Sequence, residues 1–474
     1  MEKYRYPALL TDLYELTMLA GYFDERMVEL PAVFDLFYRT NPYQGSYAVF
    51  AGLEPTLHYL RNLQFSSDDL DYLRSLNIFK PAFLEFLRNF RFRGKVTAPP
   101  EGTVVFANEP LLTIEGNLAE AQFVETALLN IVNFQTLVAT KAARLTQAAG
   151  DGVVVEFGLR RAQGPDGGMS AARAAYVGGV RSTSNVCAGQ VFGIPVKGTH
   201  AHSWVMAFAD ELTAFRAYAE CFPDSCILLV DTYDTLNSGL PNAITVAREL
   251  RARGHEMFGV RLDSGDLSYL SKEARRMFDA AGFPELKIVA SNELDEYVIQ
   301  SIRSEGGRID IYGVGTRLAT CAGEGGGALG GVYKLVRLGD KPKLKVTSDI
   351  AKATLPDRKR VMRAVRADGR FEMDILCLEE EKIGFGDVVY DPTNPARYKT
   401  IPQDVSLTNL RQVMMENGEF SCELPSLDKL ADRCADQLRR LPEGSLRLAN
   451  PHRYKVAMSE GLHELRMRLM AFYG

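Results

Sequence analysis

Apolar and polar positions follow two different rhythms along the chain. Residues 9–22, LLTDLYELTMLAGY, have helical spacing, with Leu13, Leu16, Thr17 and Ala20 on one face and Thr11 placed to cap the start. Tyr14 falls off that stripe. Residues 32–39 read as an aromatic-rich strand, 45–54 as a small-residue turn and an apolar piece, and 54–63 and 67–76 as amphipathic helices. Residues 91–115 alternate polar and apolar side chains around Pro99, Pro100, Gly102 and Pro110, the pattern of short antiparallel strands. A long helix is predicted over 119–147. Together these elements predict an N-terminal α+β domain over residues 1–135.

The rhythm then changes. Short apolar runs recur at 153–157, 194–198, 227–230, 258–262, 287–290, 309–313 and 332–336. Helix-like stretches at 171–192, 207–221, 243–253, 267–281 and 295–304 lie between most of them. Strand–helix alternation predicts a parallel sheet. Seven runs fall one short of a regular eight-stranded barrel. The expected fold class is therefore α/β, with an irregular, TIM-like α/β barrel over 136–336. A doubly wound dinucleotide-binding sheet would carry a glycine fingerprint after its first strand. The sequence there, EFGLRRAQGPDGG, has the wrong glycine spacing, and no Walker-type phosphate loop occurs. The remaining region, 337–474, predicts a C-terminal extension packing on both others. Within it, the Lys- and Arg-rich stretch 341–360 reads as a solvated hairpin face, 361–366 and 372–378 as strands, and 426–441 and 453–473 as helices.

The polar residues at the C-terminal end of each apolar run carry the chemistry. The first run gives Glu156, Phe157, Gly158 and Arg160, and the second gives Gly198, Thr199, His200, His202 and Ser203. The third gives Asp231 and Asp234, the fourth Arg261, Asp263 and Ser264, the fifth Ser291, Asn292 and Glu293, and the sixth Gly313, Gly315 and Thr316. A parallel barrel gathers all these C-terminal strand ends onto one face, where such folds place their active sites. Each cluster alone has a plain structural reading as a cap or a turn, and Asp266 is a natural N-cap for the helix over 267–281. Arg261 sits inside an apolar strand, so it is either in an ion pair with a neighbour such as Asp263 or offers its fork of donors to a carboxylate or phosphate. Arginines, carboxylates, two histidines and a glycine-threonine loop in succession suit an anionic, phosphate-bearing substrate.

Composition narrows the classes. The chain has 474 residues, 46% hydrophobic and 24% charged, and a formal charge of -5 without blocks of like charge. A nucleic-acid partner is not expected, since such a domain would show a basic stripe. No apolar run approaches the ~20 residues that span a bilayer, and residues 1–10 lack the regions of a signal peptide, so no membrane partner is expected. The seven scattered cysteines read as reduced thiols of a cytoplasmic protein. His200 and His202 lie close together, but no Cys or carboxylate set completes a zinc site around them.

EFGLRRAQGPDGG, KGTHAHSW, GVRLDSGDL and YGVGT, preceded by LLTDLYELTM, occur in order and closely resemble the nicotinate phosphoribosyltransferases. The resemblance runs from residue 9 to at least 336, and the tail fits the family's C-terminal region. It implies a homodimer of type II phosphoribosyltransferases with an irregular barrel and active sites at the subunit interface. It implies formation of nicotinate mononucleotide and diphosphate from nicotinate and 5-phosphoribosyl 1-diphosphate, coupled to ATP hydrolysis, in NAD salvage. Mg²⁺ is the implied cofactor and ATP a co-substrate, while the magnesium ligands stay open. By this resemblance Phe157, and Tyr14 from the other subunit, sandwich the pyridine ring. Arg261 meets the substrate, Asp263 lies close to the ribose or metal, and Arg160 pairs with phosphate. Gly313, Gly315 and Thr316 hold the 5-phosphate, and Asp231 belongs to the ribose or magnesium environment. Thr199, Ser203 and Asn292 are carried along as substrate contacts. His202 matches the histidine that ATP phosphorylates. His200 and His202, two apart on an extended segment, would point the same way, with His200 a ligand contact or a packed residue.

One position bears on the substrate. The related nicotinamide enzyme has an acidic residue directly after its Gly-Thr, which would repel a carboxylate. Here that residue is His200, which favours nicotinate. A nicotinamide phosphoribosyltransferase and a non-catalytic homologue are the alternatives, though the latter would lose the charged strand ends that this chain keeps. A quinolinate relative is shorter and lacks the phosphorylated histidine. A lyase with Lys197 as a Schiff-base lysine would need an electrophile-handling partner that the sequence does not offer.

Overall fold

Five of the seven apolar runs become strands of one parallel sheet. In the computed structural model, which describes residues 4, 6–346 and 354–473, they are Val153–Glu156, Ile227–Leu229, Gly259–Leu262, Lys287–Ala290 and Ile311–Val314. Their order across the sheet is 153–156, 311–314, 287–290, 259–262 and 227–229, every neighbour parallel. Helices between the strands cover the sheet with fully buried side chains such as Leu250, Ala274, Phe278 and Ile299. Burial on both faces is why these strands read as continuous apolar runs and not as alternation.

The other two runs depart from expectation, and no closed barrel forms among the described residues. The run at 194–198 makes a single bridge, from Val196 to Thr183, and Thr183 in turn bridges Glu156. Pro195 has no N–H to give a ladder, and its carbonyl instead accepts from Thr183 N–H at 3.1 Å. The run at 332–336 lies in Val332–Leu338, which pairs antiparallel with Pro31–Phe37 in a different sheet. A short apolar run fixes a strand but not its partner. The stretch expected as one helix over 171–192 is two, Gly164–Val177 and Val186–Phe192. The first is followed by Gly178 and by Gly179, whose φ of +104° is open to glycine alone.

Residues 141–323 form one unit and residues 1–140 with 324–474 form the other. The first unit holds the parallel sheet and a buried ion triad. Glu296 is held by Lys141 at 2.5 Å and Arg144 at 3.0 Å, all three side chains no more than 2% exposed. Burial pushes the Glu296 carboxyl up, but the two cations overcome this and hold it below the usual range.

The second unit is built on a seven-stranded antiparallel sheet ordered 341–342, 332–338, 31–37, 112–117, 95–98, 412–416 and 419–420. A six-stranded sheet carries Val456–Ser459 and Phe371–Leu378 at its centre, with Lys359–Arg366 paired to the latter. Strands from both ends of the sequence thus share one sheet. Within 341–360, residues 347–353 lie outside the described residues. Lys359 is not solvated as the hairpin reading has it: its Nζ lies buried 2.8 Å from Asp35 Oδ2. Burial lowers its pKa and Asp35 opposes that. Residues 453–459 are not helical; Val456–Ser459 is a strand, and the helix is Glu460–Tyr473. Among the described residues no helix is long and apolar enough to cross a membrane.

The helix expected over 9–22 is Leu13–Asp24, preceded by Asp12 at its N-cap position and not by Thr11. Its buried face is Glu15, Leu16 and Leu19. Leu13 (54% exposed) and Met18 (40%) share the outer surface with Tyr14 (44%). Leu13 and Thr17 therefore do not belong to the buried stripe that the spacing suggested, because a carboxyl occupies a position an apolar residue would normally take.

Candidate active site at the strand ends

The polar clusters sit where the parallel strands stop, and each is positioned by local backbone geometry. Glu156 ends its strand fully buried, accepting from Gly158 N–H and from the Thr183 hydroxyl at 2.5 Å. Burial raises its pKa, and those two bonds pull it back. Phe157 donates its N–H to Val314 O at 2.9 Å, which lays its ring across the neighbouring strand. A Cβ on Gly313 would come within 2.6 Å of that ring, and one on Gly315 within 3.0 Å of Phe157 O. The close approach of the two strand ends thus leaves no room for a side chain at Gly313 and little at Gly315. Thr316 opens the short helix Thr316–Ala319. Arg160 is exposed beside the Gly158 turn.

The two histidines part company. His200 is buried, its ring centroid 4.6 Å from that of Tyr218. Its Nε2 accepts Leu229 N–H at 3.1 Å, and its Nδ1 lies 3.3 Å from Ala201 O. These partners fix an Nδ1–H tautomer. Burial is the chief reason its pKa falls to about 4. His200 is therefore a packed residue that ties the 194–200 segment to the edge strand. His202 does not point the same way, because it begins the helix His202–Met206 and leaves the extended path. Its Nε2 meets Asp231 Oδ1 at 3.2 Å.

Asp231 is the hub. Its side chain is 1% exposed, and its second oxygen accepts Asp263 N–H at 2.8 Å and the Ser264 hydroxyl at 2.6 Å. Asp263 Oδ1 accepts from Ser291 Oγ at 2.5 Å, while its other oxygen has no hydrogen-bond partner among the described residues. Arg261 makes no ion pair with Asp263 among the described residues. It donates to Thr199 Oγ1 and, at 3.1 Å, to His200 O, and its Nε is buried without a partner. Burial chiefly lowers its pKa, with Asp263 and Asp231 opposing and Arg160 adding. Asn292, exposed next to Ser291, holds φ +88°, a left-handed backbone that Asn tolerates. Ser203 is exposed one residue into its helix, and Lys197 is exposed on its loop.

This unit therefore bonds Arg261 to Thr199, and His202 and Asp263 to Asp231, and sets Phe157 against Gly313 and Gly315. Tyr14 belongs to the other unit, on the outer face of Leu13–Asp24. Sequence reasoning passed over Thr183, which lies in an RSTSN loop with no periodicity to mark it. It also passed over Tyr218, whose contact with His200 had no signal in the sequence. Among the described residues no three His, Cys, Asp or Glu side chains converge on a metal-sized site. Mg²⁺ often binds through one or two carboxylates plus substrate phosphates; Asp263, with its open oxygen, fits that mode, while Asp231 has both oxygens taken and lies buried behind it.

Comparison with known proteins gives a consistent result. Three family profiles match: the nicotinate phosphoribosyltransferase (NAPRTase) N-terminal domain over residues 9–133, the NAPRTase family over 153–365, and the NAPRTase C-terminal domain over 358–466. The chain is 43% identical to a nicotinate phosphoribosyltransferase of Bacillus subtilis, covering 98% of this chain and 96% of that protein. It is 37% identical to the Homo sapiens protein of that name, covering 96% and 95%. The crystal structure of human nicotinic acid phosphoribosyltransferase superposes with a TM-score of 0.87 at 35% identity, covering 97% of this chain and 99% of that one.

Proposed function

The chain belongs to the nicotinate phosphoribosyltransferase family and is an enzyme of that kind in NAD biosynthesis, and from that premise we propose how its strand ends divide the work. The pyridine nitrogen of nicotinate attacks the ribose anomeric carbon of 5-phosphoribosyl 1-diphosphate. The bond from that carbon to the diphosphate oxygen breaks, and diphosphate leaves with the electron pair. Arg261 meets the nicotinate carboxylate, an assignment supported by its orphaned, buried Nε. Phe157 offers one face for the pyridine ring. Gly313, Gly315 and Thr316 receive the 5-phosphate, with Arg160 as its cation. Asp263 faces the ribose and would hold Mg²⁺, which supplies charge neutralisation for the diphosphate when bound, and Asp231 behind it belongs to the ribose environment by fixing the Asp263 backbone. Thr199, Ser203 and Asn292 complete the contacts.

The observation that carries the ATP-coupled reading is the 3.2 Å contact of His202 Nε2 with Asp231. A carboxylate on Nε2 keeps a proton there and leaves the Nδ1 lone pair free. Nδ1 then attacks the γ-phosphorus of ATP, ADP departs, and water later takes the phosphoryl group. The enzyme is a homodimer, with Tyr14 lent to the partner's ring site. The exposed Leu13, Tyr14 and Met18 support an interface on that helix. The parallel sheet with its bridges at Thr183 and Val196 is read as an open form of the irregular barrel. Labelled ATP tests the core of this. Wild type should carry acid-labile, base-stable label and His202→Ala none; label that persists in His202→Ala moves the acceptor elsewhere. Assay of nicotinate against nicotinamide should favour the acid strongly, and Tyr14→Ala should cut activity with the fold intact.

A further inference from the structure

The unit formed by residues 1–140 and 324–474 contains a cavity of about 840 Å³, within the ~300–1,000 Å³ typical of small-molecule sites. Arg397, Lys399 and Arg453 line it, and none of the three side chains has a partner among the described residues. One carboxylate, Asp391, lies on its wall and is held in its own turn. Its Oδ1 accepts Thr393 N–H at 2.8 Å, the Thr393 hydroxyl at 2.7 Å and Asn394 N–H at 3.2 Å. Three aromatic rings complete the wall, those of Phe106, Tyr454 and Tyr398. Tyr454 is fixed, stacked at 3.8 Å on Phe106 and bonded through its hydroxyl to Asp374 at 3.0 Å. Tyr398 stands 69% exposed on the edge strand Tyr398–Thr400.

We propose that this cavity binds an organic phosphate of mononucleotide size. Two guanidinium groups and an ammonium supply three cationic donors, and guanidinium forks match phosphate oxygens. The three cations outnumber the single carboxylate on the wall, which is fixed in its own turn through Oδ1. A fixed phenol ring and an open one offer a flat apolar surface for a heteroaromatic ring. One nucleotide carries both a heteroaromatic ring and a phosphate, the two kinds of group that this lining's rings and cations accept. An adenine nucleotide and the enzyme's own pyridine nucleotide share this chemistry.

Calorimetric titration of the full-length enzyme with ADP, nicotinate mononucleotide and inorganic phosphate separates these sources. The comparison is wild type against the Arg397→Glu/Arg453→Glu variant. One of the two nucleotides should show one more site per chain in wild type, or at least a tenfold affinity loss in the variant. Tyr398→Ala should weaken that nucleotide and leave phosphate unchanged. If the double variant fails to melt like wild type, Lys399→Glu carries the same comparison. Identical isotherms for all three ligands in wild type and variant overturn the proposal. So does a variant whose subunits separate in light scattering, because the cavity would then be a subunit contact.

Discussion

Asp231→Asn is the sharpest perturbation of the proposed phosphoryl step, because it keeps shape and removes one property. The amide oxygen must take the place that accepts Asp263 N–H at 2.8 Å and Ser264 O–H at 2.6 Å. That sends the NH₂ group toward His202 Nε2, 3.2 Å away. Two donors cannot face each other, so the imidazole must shift its proton to Nδ1 to accept there. The Nδ1 lone pair is then gone, and with it the nucleophile. Holding a catalytic histidine in the wrong tautomer costs about 10⁴ in rate in the serine-protease case. The cost to the fold should be smaller, about 1–2 kcal/mol, since the buried donors keep an oxygen partner. The assay is the initial rate of acid-labile labelling from labelled ATP, with ATP-independent turnover of nicotinate measured alongside. Labelling should fall by at least 10² and by more than ATP-independent turnover. Wild-type labelling by Asp231→Asn would refute the tautomer argument, and with it the assignment of Nδ1.

Other consequences rest on individual residues. Arg261→Ala should lower kcat/KM for nicotinate by the equivalent of ~2–5 kcal/mol, and an unchanged nicotinate KM would remove Arg261 from the carboxylate. Burial chiefly pushes the Glu15 carboxyl up to about 8, so from about pH 4.3 upward the folded chain keeps a proton that the unfolded chain releases. Stability therefore falls as pH rises through that window. Glu15→Gln should matter little at pH 5 and stabilise by on the order of 2–3 kcal/mol at pH 8, read from urea midpoints; a pH-independent difference would contradict this. Glu296→Ala strands the buried Lys141 and Arg144 and should cost ~3–5 kcal/mol in denaturant unfolding. A cost within ~0.5 kcal/mol would show that water reaches the triad.

The chemistry of this protein was written locally. Strand-end residues such as Asp231, Arg261 and Asp263 could be picked out of the sequence because the residue that ends an apolar run faces the end of the sheet whichever strand lies beside it. Asp266 as a helix cap was legible for the same reason, since it bonds Tyr269 N–H only three residues on. Pairing was not legible. The run at 332–336 satisfies the strand pattern equally well in a parallel sheet or against Pro31–Phe37, and only packing chose the latter. The direction of His202 depended on a helix beginning at that residue, and Glu15 was hidden because a carboxyl in an apolar stripe looks like a solvent position. The sequence alone thus determined which groups are available, through spacing and turn chemistry acting over a few residues. Tertiary structure decided which of them meet, because contacts such as His202 with Asp231 and His200 with Leu229 span 29 residues and depend on how the intervening helices bury their apolar faces.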